Sequence, residues 1–234
     1  PPKTPQSGIR DSVESSSEEP VAVSQQSPEH SRLAVGSFSY SSPTISNDTL
    51  YVGNMDHRLY AVDIKTGKMR WRFKTEAPIT SSPRVDGDVL YFGSNDGNVY
   101  AIDCGNPSRP RRLWQAKTKD WVNSSPFIQG ERLFVGSKDR FLYALDKRSG
   151  DLLWTYGTYG EIVSVPQGYK NLVILAGGRG DGRLYLMQQS NGELLWSFNT
   201  GSRIDSDLAI DGDQLYTSTA DGFLYAFTIK RTEK

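Results

Sequence analysis

Four tryptophans constrain this chain more than any other feature. Trp71, Trp114, Trp154 and Trp196 follow one another at intervals of 43, 40 and 42 residues. Ten residues after them come Ser81, Ser124, Ser164 and Ser206. Upstream of each lies a run ending in tyrosine: Leu59-Tyr60, Val99-Tyr100, Leu142-Tyr143 and Leu184-Tyr185. A period near 40 residues marks a repeat architecture, in which one supersecondary unit buries its apolar face only by stacking on its neighbours.

Each unit holds four short apolar or alternating runs separated by turn residues. In the second unit they are Ser82–Val85, Val89–Gly93, Asn98–Ile102 and Trp114–Ala116. The breaks are Asp86-Gly87, Asn95-Asp96-Gly97 and Gly105-Asn106-Pro107. Asp-Gly and Asn-Gly supply the positive φ of tight hairpins. Runs of β-branched and aromatic residues bounded this way are strands, and no 3.6-residue periodicity competes with them. Four antiparallel strands per unit predict an all-β fold, a β-propeller of four-stranded blades. The second strands, such as Val89-Leu90-Tyr91-Phe92 and Leu172-Val173-Ile174-Leu175, are apolar throughout because a blade is covered on both faces. The Trp, at the start of each outer strand, is expected to be buried between blades.

Five units begin at Ser41, Ser81, Ser124, Ser164 and Ser206, but only four reach a Trp; the fifth set ends at Ala226-Phe227-Thr228-Ile229. An unpaired sheet edge invites association. Arg32-Leu33-Ala34-Val35 sits where a preceding outer strand would sit, with Ser31 in the Trp register. The expectation is a five-bladed ring closed by this N-terminal strand. An open arc, cut from a seven- or eight-bladed ring, is the alternative.

The unit Tyr60-Ala61-Val62-Asp63-x-x-Thr66-Gly67-x-x-x-Trp71 and its copy Tyr143-Ala144-Leu145-Asp146-x-x-Ser149-Gly150-x-x-x-Trp154 resemble the repeat of the pyrroloquinoline-quinone-like (PQQ-like) propeller family. The second unit keeps Tyr100-Ala101-Ile102-Asp103 and carries a three-residue insertion before Trp114; the fourth has Leu186 and Gln188 in place of Ala and Asp. The resemblance covers residues 31–228. It implies either a quinoprotein dehydrogenase or a non-enzymatic member, such as an outer-membrane assembly scaffold or a propeller module appended to bacterial serine/threonine kinases. The dehydrogenases, as the resemblance has it, use eight blades, PQQ, calcium and often a disulfide between adjacent cysteines. This sequence offers one cysteine, Cys104, and no Glu/Asn/Asp calcium cluster. The reading is therefore no enzyme and no cofactor.

Charge narrows the partners. With 27 basic and 27 acidic side chains there is no global attraction to nucleic acid or anionic membrane. No apolar run approaches the roughly 18 residues of a membrane-spanning helix, so no membrane insertion is expected. Residues 1–30 are rich in Pro, Ser, Glu and Gln and are expected to be a disordered tail or a linker to an upstream domain. The propeller is assigned to 31–229 and a C-terminal tail to 230–234. The start at Pro1 rather than Met is taken to mean part of a longer protein.

Chemistry-bearing clusters are scarce. His30 and His57 are isolated, so no zinc set and no other metal site is expected. The Ser-Ser-Pro triplets and the Asp-Gly pairs (Asp86, Asp96, Asp181, Asp211, Asp221) recur with the fold and are read as architecture; no catalytic residue is assigned. A meander gathers the loops between second and third strands, and those between blades, on one face. That face collects Phe38, Tyr40, Met55, His57, Trp121, Arg140, Tyr159, Arg179 and Arg203 as candidate binding residues. Trp121 is the one Trp outside the blade register; Trp, Tyr and Arg dominate binding hot spots. The opposite face carries the basic insertion Asn106–Arg112. The resulting expectation is a monomeric, non-catalytic scaffolding module for a protein partner, with a small-ligand sensor domain as the alternative. Periplasmic or extracellular location is placed ahead of cytoplasmic.

Overall fold

The computed structural model describes residues 39–106 and 108–230. Nineteen strands form five antiparallel sheets among them. The first blade comprises β1 (Thr44–Ser46), β2 (Thr49–Gly53), β3 (Arg58–Asp63) and β4 (Met69–Lys74). The second comprises β5 (Arg84–Asp86), β6 (Val89–Gly93), β7 (Asn98–Asp103) and β8 (Arg111–Lys117). The third comprises β9 (Phe127–Gln129), β10 (Arg132–Gly136), β11 (Phe141–Asp146) and β12 (Leu152–Gly157). The fourth comprises β13 (Gln167–Tyr169), β14 (Leu172–Ala176), β15 (Arg183–Gln188) and β16 (Leu194–Asn199). The fifth has β17 (Ala209–Asp211), β18 (Gln214–Ser218) and β19 (Leu224–Thr228). Strands follow chain order within every sheet, the meander of a propeller blade.

Each residue of the repeat has a mechanical task. The tyrosine hydroxyl of the third strand donates to an aspartate four residues earlier: Tyr60 to Asp56 at 2.5 Å, Tyr100 to Asp96 at 2.7 Å, Tyr143 to Asp139 at 2.7 Å and Tyr185 to Asp181 at 2.6 Å. The strand-ending aspartate caps the following turn, as Asp63 accepts from the Lys65 and Thr66 amides and the Thr66 hydroxyl. Those donors, with Arg70 beside them, pull its carboxyl down to about 2. The turn glycine lies against the tryptophan of the blade before. A Cβ on Gly150 would come within 2.6 Å of Trp114, and one on Gly192 within 2.6 Å of Trp154. The indole N–H then donates across the blade boundary, from Trp114 to the Lys147 carbonyl and from Trp154 to that of Gln189, each at 3.0 Å. In the second blade the inserted turn replaces this arrangement, and Trp71 Nε1 is buried with no acceptor.

Three details correct the sequence reading. The Trp is not the first residue of the outer strand: β8 begins at Arg111. A bulge opposite the third strand leaves out Arg70, Leu113, Leu153 and Leu195, each just before its Trp. The first strand of the second blade starts at Arg84 rather than Ser82, because Ser82 is spent on its neighbours: its hydroxyl accepts from the Ser42 amide and its amide donates to Ser125. Finally, burial of the Trp series is uneven. Trp71 and Trp114 are buried, whereas Trp196 is 39% exposed.

The first serine of the Ser-Ser-Pro position straps the second strand in four of the five blades. Ser81 Oγ donates to the Gly93 carbonyl at 2.7 Å and accepts from its amide at 2.8 Å. Ser206 does both with Ser218, Ser41 accepts from the Gly53 amide and Ser164 donates to the Ala176 carbonyl, whereas Ser124 donates to the Ser164 carbonyl of the next blade. Close by, Ile79, Val122, Ile162 and Ile204, one per inter-blade segment, are fully buried.

The segment expected to close the ring, Arg32–Val35, lies outside the described residues. Among those described, the fifth sheet has three strands and its Leu224 is 75% exposed, while the equivalent Leu59, Leu142 and Leu184 are fully buried.

Candidate functional site

The loops between blades and the turns between second and third strands are bonded to one another, which makes them one face. Thr75 donates to the His57 carbonyl, Thr118 to that of Gly97, Lys138 to that of Trp121, Thr158 to that of Arg140 and Ala220 to that of Arg203. The turn aspartates belong to the same lattice. Asp96 accepts from the Glu76 amide at 3.1 Å and Asp139 from the Lys119 amide at 2.9 Å. These carboxylates are occupied by phenols and amides rather than presented to solvent.

Trp121 is 46% exposed and Tyr159 is 69% exposed. A cation lies over each ring. The Trp121 carbonyl accepts from the Lys138 amide and the Ser137 hydroxyl, and Lys138 Nζ stands 4.7 Å from the indole centroid. Lys138 also pairs with Glu161 at 3.6 Å. The Arg183 guanidinium stacks 4.4 Å from the Tyr159 centroid and reaches the buried Asp181 at 3.4 Å. Cation–aromatic contacts of this kind orient both partners.

Arg140 and His57 stand at a backbone position that three other blades give to glycine. Their φ values are 74° and 68°; Gly97, Gly182 and Gly222 follow the equivalent aspartates with φ of 80°, 79° and 90°. A left-handed conformation is uncommon for non-glycine residues. Residues held there at a cost tend to cluster at functional sites. Arg179 lies in the fourth blade's turn, which is longer by two residues, Gly177 to Gly182 against Ser94 to Gly97. Arg140 and Arg179 are exposed and form no ion pair among the described residues.

Of the residues singled out from sequence, Trp121, Arg140, Tyr159 and Arg179 fall in one sector, on the third and fourth blades and the loops leading into them. Arg203 lies on the next loop, but its Nε is held by Asp205 at 2.8 Å. Tyr40, Met55 and His57 belong to the first blade; Tyr40 is exposed, the other two half-buried. Phe38 lies outside the described residues. Sequence reasoning missed Lys119, Lys138 and Arg183; the nearest signal was the position of Lys138 in a Ser-x-Asp turn beside the out-of-register Trp121. Across the described residues, no group of three or more His, Cys, Asp or Glu is placed to hold a metal. On the opposite face, the basic insertion is partly neutralised by an Arg111–Asp103 pair at 3.2 Å.

Comparison with solved structures places this fold. The crystal structure of BamB from Moraxella catarrhalis matches with TM-score 0.70 at 18% identity, over 81% of this chain and 61% of that one. A chain of the mitotic checkpoint complex matches with TM-score 0.70 at 16% identity, over 80% and 60%. The computationally designed Ika8 protein matches with TM-score 0.55 at 16% identity, over 81% and 70%. The chain thus spans about three fifths of the length of the first two. In all, 1442 solved chains match, so likeness of fold selects no activity. No curated protein sequence matches. The family described as outer membrane protein assembly factor BamB matches residues 16–109 and 106–234, beginning inside the segment expected to be a tail. With nearly the whole chain matched, the protein belongs to this family of PQQ-like β-propellers.

Proposed function

We propose that the chain is a non-catalytic scaffolding module that binds a protein partner through the loop face of its third and fourth blades. The carrying observation is the pair of exposed rings, each packed under a cation, Trp121 under Lys138 and Tyr159 under Arg183. Exposed aromatic and arginine side chains on a rigid frame supply binding energy at low entropic cost. Trp114, Trp154, the third-strand tyrosines and the turn aspartates bonded to them are committed to the frame, whereas the exposed rings of this sector lie outside the repeat on the loop face. Membership in a family described by outer membrane protein assembly supports an extracytoplasmic location and a place within a larger protein or complex.

The test is capture of partners from the source cell envelope by immobilised chain, with each candidate repurified and titrated. Trp121→Ala combined with Tyr159→Ala is expected to abolish binding while leaving the melting temperature in place. Binding that survives the double substitution would remove this face from the reading.

A further inference from the structure

The loop sector has a sign. Its acidic groups other than Asp120 are engaged from within: Asp139 accepts from the Tyr143 hydroxyl and from the Lys119 and Phe141 amides. Asp181 accepts from Tyr185 and pairs with Arg183. Glu161 pairs with Lys138; Asp120, which accepts from the Trp121 amide, is the exposed carboxylate of the sector. Its outward cations are not answered in this way. Arg140 and Arg179 have no acidic partner among the described residues, and Lys119 rests only on the Phe141 ring, at 5.3 Å. The sector is continuous, because the loop bearing Tyr159 and Glu161 is bonded to the backbone carbonyls of both Arg140 and Arg179. Arg140 is, in addition, held in a left-handed conformation at a position where glycine would be free of strain.

We propose that this sector, Lys119, Trp121, Arg140, Tyr159 and Arg179, recognises an acidic polypeptide segment interspersed with apolar side chains. Carboxylates would meet the free guanidinium and ammonium groups, and apolar side chains would lie on the two rings. Complementary charge governs specificity and association rate across such surfaces. The inference rests on the scaffolding function proposed above and names the chemistry of its partner.

The probe is a fluorescein-labelled peptide of alternating Glu and Phe, titrated by anisotropy against the whole chain. The comparators are the same peptide with Lys for Glu and a labelled poly-dT oligonucleotide. The acidic peptide is expected to bind, with affinity that falls as salt screens the charges. Arg140→Glu and Arg179→Glu should each weaken it about ten-fold or more, and Arg109→Glu, in the insertion on the opposite face, should not. Equal binding of the acidic and basic peptides, or indifference to both charge reversals, overturns the proposal. Tighter binding of the oligonucleotide through the same arginines also overturns it, in favour of nucleic acid. If the peptide arms fail while Trp121→Ala with Tyr159→Ala still abolishes partner capture, the interface stands and the acidic chemistry alone falls.

Discussion

The Tyr100 hydroxyl donates to the Asp96 carboxylate at 2.7 Å, and the same carboxylate accepts from the Glu76 amide of the preceding inter-blade loop at 3.1 Å. One side chain thus closes a hairpin and ties it to its neighbour. Asp96→Ala would strand a buried phenol and an amide, and is expected to cost about 2 kcal/mol; Tyr100→Phe should cost about 1 kcal/mol. Urea denaturation of the two variants and of the double variant gives the coupling.

These phenols also set an alkaline limit. Burial is the leading cause that pushes Tyr51 and Tyr91 up to about 12, and it raises Tyr100, Tyr143 and Tyr185 as well, with help from their aspartates. An unfolded tyrosine ionises near pH 10. The neutral phenols therefore contribute stability that is complete below about pH 10 and declines as the pH climbs toward the folded values. Thermal melts should be level from neutral pH to about 9.5 and fall above 10. Tyrosinate absorbance should rise together with unfolding, and full titration before unfolding would contradict the burial.

Trp114 and Trp196 occupy the same repeat position in different surroundings. Trp114 is buried with its N–H satisfied; Trp196 is 39% exposed. Trp114→Ala is expected to cost about 3–5 kcal/mol and Trp196→Ala about 1–2 kcal/mol. Equal losses would mean that additional chain covers Trp196 in solution.

Leu142 and Leu224 form a similar pair at the third strands. Leu142→Ala should cost about 2–5 kcal/mol, and Leu224→Ala about 0.5 kcal/mol or less. A large loss at Leu224 would show the open side of the fifth blade to be covered, and sedimentation equilibrium would separate a second copy from an intramolecular strand.

Arg140 predicts a conflict between stability and binding. Its φ of 74° costs an L-residue about 1 kcal/mol relative to glycine. Arg140→Gly should therefore raise the urea midpoint while weakening the acidic-peptide complex. A variant that loses binding without gaining stability would leave the left-handed backbone unexplained.

The blade repeat was legible because its residues are spaced by local geometry. Asp-Gly turns, apolar second strands and one Trp per unit encode hairpins whose partners lie nearby in sequence, so the five strand sets from Ser41 onward and the all-β class could be read directly. Ser81, Asp96 and Asp181 of the Ser-Ser-Pro and Asp-Gly series are bonded within the frame. Their partners were not legible: that Ser81 straps Gly93, or that Asp96 holds both Tyr100 and Glu76, depends on where the next segment of backbone passes. The outer-strand bulge was missed because one extra residue leaves no mark in composition.

The candidate site divides in the same way. Trp121 stood out because it breaks the period, which is a property of sequence alone. Which of its companions matter was decided by tertiary structure. Arg203 looked equivalent to Arg140 and Arg179 until the fold placed Asp205 against it, and Lys138 became visible only when it was found over the indole. By itself, the sequence determined the repeat, the strand order and the list of side chains that the repeat does not use. Only the packing of one blade on the next decided which tryptophans are buried, because the acceptors of the Trp114 and Trp154 indoles, Lys147 and Gln189, belong to the following blade; loop conformation decided which charges are neutralised, even where the partner is as near in sequence as Asp205 is to Arg203.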